Sequence, residues 1–123
     1  MKKVIYEKLV RDGVPEFLTK INKAFEVRQM PDDELFEREL LRKIIEEAEE
    51  LSIAQGRDSI IQEIADLLEV IDALKARNGI TDAEVTAAKA DRVMARGGFA
   101  ERIMLLWSED DGYEAGKMTP AKT

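Results

Sequence analysis

Two long stretches of this chain place apolar residues at helical spacing, with a single short turn between them. Leu40, Leu41, Ile44, Ile45, Ala48 and Leu51 line the first, over residues 33–55. Ile60, Ile61, Ile64, Leu67, Leu68, Ile71 and Leu74 line the second, which starts at Asp58 or Ser59. Recurrence at three and four residues is the mark of an amphipathic helix. The segment Gln55-Gly56-Arg57-Asp58 separates the two stripes, with Gly56 suited to cap the first helix. The pattern predicts an antiparallel helical hairpin folded about Arg57, in a mainly α fold. A two-helix core is thin, so further helices or a second subunit are expected to complete it, as a homodimer or homotetramer.

The flanks read less sharply. Asp12 is placed to cap a short helix with Pro15 in its first turn, running to about Lys23. Phe25, Val27 and Gln29 alternate with polar residues, which predicts an extended stretch over 25–30. Pro31-Asp32-Asp33 opens the first long helix, and Asn78-Gly79 stops the second. Thr81 and Glu84 have the spacing of a capping box for a last helix at about 82–96, ended by Gly97-Gly98. Residues 99–107 are apolar enough to pack back on the body. The expected organisation is one domain over 1–107 and a polar, mobile tail over 108–123.

Composition removes whole classes of chemistry. The chain has 123 residues, no cysteine and no histidine. Disulfides, thiolate sites, catalytic triads and histidine ligands are therefore excluded. Any acid–base step falls to carboxylates, lysines, tyrosines or water. The net charge of −7 disfavours nucleic acid polymers and anionic membranes. No apolar stretch approaches a membrane span, and the charged N-terminus lacks a secretory core, so a cytoplasmic location is expected.

Folding the hairpin about Arg57 brings four acids together. Glu50 comes level with Glu63, and Glu47 with Asp66, because residues three apart share a helix face. No basic residue lies between Glu46 and Glu50, or between Glu63 and Asp72. Crowded like charges are costly unless a cation joins them. Oxygen-only ligands suit Mg²⁺ or Mn²⁺ rather than zinc. The spacing alone is equally consistent with a solvated acidic face, with Arg42 or Lys43 pairing Glu46 or Glu47.

ExxE at 47–50 followed by ExxD at 63–66 resembles the signature of the all-α nucleoside triphosphate pyrophosphohydrolases. That superfamily includes MazG-like proteins, dimeric dUTPases and phosphoribosyl-ATP pyrophosphohydrolase. KLVRDGVPEF (8–17) is similar to an N-terminal segment of the MazG-like, phosphoribosyl-ATP-pyrophosphohydrolase-like branch. KADRVMARGGFAERI (89–103) is similar to its closing motif. One departure is Gly13, where the branch usually has lysine. The resemblance implies a helical oligomer whose Glu47, Glu50, Glu63 and Asp66 bind Mg²⁺. It implies cleavage of a nucleotide between the α- and β-phosphates, giving a monophosphate and pyrophosphate.

The residues suit that chemistry. A divalent cation lets an anionic phosphate tail approach acids. With no histidine, Glu46 or Glu50 is the candidate to orient or deprotonate the attacking water. Lys89, Arg92 and Arg96 share a face of the last helix and are candidates to hold phosphates, with Lys8 and Arg11 behind them. Ordinary surface charge explains the same residues, and a helix cap explains Asp12. Three readings follow: a nucleotide pyrophosphohydrolase clearing non-standard nucleotides, phosphoribosyl-ATP hydrolysis in histidine synthesis, and a non-catalytic helical assembly module.

Overall fold

The computed structural model describes residues 2–110. Among them are four helices: α1 (Val14–Lys20), α2 (Asp33–Ile53), α3 (Arg57–Arg77) and α4 (Asp82–Arg96). No strand occurs among the described residues, so the expected extension at 25–30 forms no sheet. Of the anticipated tail, residues 111–123 lie outside the described residues. The chain divides into two compact units at Ile80/Thr81. Each is described by itself.

The first unit is built on the hairpin. α2 and α3 each span 21 residues and pack against each other. Asp32 starts α2 by accepting a hydrogen bond from the Leu35 amide at 3.0 Å, a cap that satisfies one of the helix's orphan donors. Ala54, not Gly56, is the C-cap of α2. Gly56 instead precedes α3 as its N-cap, with φ 87°. That left-handed value suits glycine, which has no Cβ to clash. At the far end of the hairpin, Asn78 Nδ2 donates to Glu37 Oε1 at 2.8 Å and ties the end of α3 to α2.

α1 is shorter than its pattern suggests, and Gly13 rather than Asp12 is its N-cap, with no side-chain cap bond. Asn22 takes φ 58°, and the Lys23 amide turns back to the Leu18 carbonyl at 3.0 Å. Asn tolerates this left-handed turn, which closes the helix before Lys23.

The core is as thin as two helices allow. Leu40 is the one buried apolar residue among those described. Leu41, Ile45, Ile61, Ile64 and Leu68, all from the two stripes, are exposed.

In the second unit α4 begins with the expected capping box. Thr81 Oγ1 accepts from the Glu84 amide at 3.1 Å, and Glu84 Oε1 accepts from the Thr81 amide at 3.0 Å. Gly97, at φ 79°, ends the helix. Residues 99–107 form no helix or strand, and Phe99 and Trp107 are exposed, at 98% and 81%.

Candidate metal and phosphate site

α2 supplies Glu46, Glu47 and Glu50, and α3 supplies Glu63 and Asp66. One carboxylate oxygen from each of Glu47, Glu50 and Glu63 lies within 4.8 Å of the others. The Glu50 carboxylate lies close enough for its charge to act on Glu63. Their closeness is the level pairing that folding about Arg57 predicts. Asp66 sits beside this trio, near enough for its charge to act on Glu47 and Glu63.

The electrostatics are unresolved within the protein itself. Glu47 is 7% exposed, and its Oε2 is buried without a hydrogen-bond donor. Glu63 Oε2 is in the same condition. Burial, then the Glu50 charge, pushes Glu47 above the usual carboxylate range against the opposing pull of Lys43. Loss of solvent, then Glu50 and Asp66, pushes Glu63 up as well. Buried oxygens are normally satisfied. Two that are not, on two members of one acid cluster, fit a cation.

The donor set is all carboxylate, and such hard oxygen ligands suit Mg²⁺, Mn²⁺ or Ca²⁺. Glu47, Glu50 and Glu63 are the residues able to hold the ion, with Asp66 adjacent.

Three basic residues pair with the acids. Lys43 Nζ lies 3.3 Å from Glu46 Oε1 and 3.7 Å from Glu47 Oε1. Lys8 Nζ donates to the same Glu46 oxygen at 2.9 Å. Chiefly through that bond, Glu46 is held below the usual carboxylate range and Lys8 is raised. Arg11 Nη2 donates to Asp66 Oδ1 at 2.8 Å. A cleft of about 210 Å³ runs between the Lys8-Leu9 segment and the Arg42, Lys43 and Glu46 face of α2.

The structure therefore brings Lys8 and Arg11 onto the acids. Lys89, Arg92 and Arg96 lie on α4 in the second unit, where their spacing puts them on one face. The Arg11–Asp66 contact spans 55 residues and has no local signal in the sequence. The Lys43 contacts, three and four residues away, do have one. Arg42 turns instead to Glu39, at 3.0 Å.

A helical hairpin carrying paired carboxylates around donor-free oxygens defines an acid-rich, cation-ready α fold. Residues 14–92 match the family Phosphoribosyl-ATP pyrophosphohydrolase, and the chain belongs to that family. The family is part of the MazG-like all-α nucleoside triphosphate pyrophosphohydrolase superfamily. The protein is thus a pyrophosphohydrolase, a hydrolase acting on phosphoric anhydrides. All five acids of the site fall inside the matched stretch, whereas Lys8, Arg11 and the RGGF segment fall outside it. No curated protein and no solved structure matches the chain.

Proposed function

We propose that this protein is a Mg²⁺-dependent nucleotide pyrophosphohydrolase that cleaves between the α- and β-phosphates, releasing a monophosphate and pyrophosphate. The observation that carries the metal is the pair of buried, donor-free oxygens on Glu47 and Glu63 beside Glu50. Glu47, Glu50, Glu63 and Asp66 would hold the ion. When bound, Mg²⁺ neutralises phosphate charge and polarises the bond to be cleaved.

The chain's own residues do the rest. Glu50 is the exposed member of the cluster, open to solvent, and is our choice to orient the attacking water. Glu46 is tied to two lysines and kept ionised, which makes it a weaker base and a better anchor for Lys8 and Lys43. Lys8 and Arg11, paired with Glu46 and Asp66, would meet phosphate oxygens. Lys89, Arg92 and Arg96 are proposed to bind phosphate on their spacing alone. We take residues 1–107 as the working domain. A homodimer or homotetramer is supported by the exposed stripe residues of the hairpin.

No helix among the described residues is long and apolar enough to cross a membrane. A cytoplasmic enzyme acting on free nucleotides is consistent with that.

Phosphoribosyl-ATP is the second substrate to consider, because the matching family carries that activity in its description. Clearance of non-standard nucleotides is favoured here by the KLVRD and RGGF segments, which resemble the MazG-like branch. The test is pyrophosphate release from a panel of ordinary and modified nucleoside triphosphates and phosphoribosyl-ATP, with and without Mg²⁺. Turnover confined to phosphoribosyl-ATP would replace the first substrate reading with the second. Turnover unaffected by chelation would remove the metal.

A further inference from the structure

Residues 8–11 are pinned to both helices of the hairpin, at two of its acids. Lys8 reaches Glu46 on α2, and Arg11 reaches Asp66 on α3. The segment is not helical. Its backbone is nonetheless fixed at one end, where the Val14 amide donates to the Arg11 carbonyl at 3.0 Å and opens α1. Only the Arg11 side chain would need to move for its contact to change.

We propose that residues 8–11 form a counter-ion strap and that Arg11 is exchanged between two partners. It neutralises Asp66 while no cation is bound, and passes to a phosphate oxygen of the substrate once a divalent cation engages Asp66. The inference rests on the metal reading above and assigns Arg11 a role that the metal reading alone does not.

Two observations and one property of the guanidinium group carry it. Asp66 is the predicted ligand left outside the tight trio, and it is the one that accepts from an arginine. The Arg11 side chain is 61% exposed and that of Asp66 39%, so the pair is weakly held and its exchange is cheap. A guanidinium fork matches phosphate as well as it matches carboxylate. Lys43 pairs with Glu46 at 3.3 Å within α2, a contact that does not involve Arg11.

The exchange predicts opposite effects of one substitution on two ligands. In Arg11→Gln, a carboxylate that had been shared becomes available to the cation. Affinity for Mn²⁺ alone, followed through the free-ion resonance signal of the full chain, should rise about two- to fivefold. Affinity for tripolyphosphate at saturating Mg²⁺, measured by calorimetry, should fall roughly tenfold or more. Arg11→Lys keeps the charge without the fork; it should bind Mn²⁺ like the wild type and still lose phosphate affinity. Lys20→Gln, in a pair with Glu16, controls for net charge and should change neither.

A fall of both affinities in Arg11→Gln would overturn the exchange, since Arg11 would then simply hold Asp66 in place. No change in either would reduce the contact to a surface pair. Failure of the wild type to bind Mn²⁺ at all would remove the metal reading itself, a different result from either.

Discussion

At the scale of single residues, adjacent carboxylates behave in opposite ways. Glu46 is stabilised as an anion by Lys8 and Lys43, while Glu47, one position on, is buried and short of a donor. Glu47→Gln should therefore have a divided outcome. Without metal, the variant should melt at a higher temperature than the wild type, because a buried like-charge contact is relieved. With Mg²⁺ it should lose the metal-dependent rise in melting temperature and about 100-fold or more of its turnover. Thermal melts with and without Mg²⁺, beside pyrophosphate release, check both. The clustering of Glu47, Glu50 and Glu63 was legible in the sequence, because helical spacing and one turn bring them together, while Asp66 stays outside that trio. The partners of Glu46 and Asp66 were not: Lys8 and Arg11 reach them from a segment with no periodicity to place it.

At the scale of elements, caps and turns account for the boundaries. The capping box of α4 was readable from Thr81 and Glu84, because its pattern is local. The end of α1 was not, since it depends on Asn22 adopting φ 58°. Glu84 is held below the usual carboxylate range by the Thr81 amide and hydroxyl. A lowered pKa stabilises the folded form above the ordinary carboxylate value, and that gain is lost as pH falls through the folded value. The protection factors of the Thr81 and Glu84 amides, which correct for the intrinsic slowing of exchange in acid, should accordingly fall on acidification. Thr81→Ala should weaken the same amides by about 1 kcal/mol at neutral pH, with less further loss on acidification. Gly56 makes a second element-scale case. Its φ of 87° leaves open space around a built Cβ, so Gly56→Ala meets backbone strain and no clash. It should cost about 1–2 kcal/mol in a urea melt, from the left-handed backbone alone.

At the scale of the whole molecule, apolar residues outnumber the places to bury them. The stripes that predicted the hairpin were legible because their period is a property of the sequence. What covers their outer edges was not, since a repeat of apolar residues says that a face is buried but not by what. Ile61, Ile64 and Leu68 recur at three- and four-residue spacing on α3 and are all exposed. Leu68→Asp is expected to lower the assembly state, read as molar mass by light scattering, while leaving the helical content of the monomer intact. An unchanged mass would place the proposed subunit contact elsewhere.

The hairpin also bears on how the site comes into being. All the acids of the cluster lie between residues 46 and 66, so one short turn is enough to assemble them. Such low contact order favours fast folding, because little loop entropy must be lost before the contacts form. The repulsion among the acids would then arise early, before the N-terminal cations need have docked. A divalent cation present during refolding should act on that early step as well as on the finished protein, and ambient metal would help set the rate at which the hairpin closes.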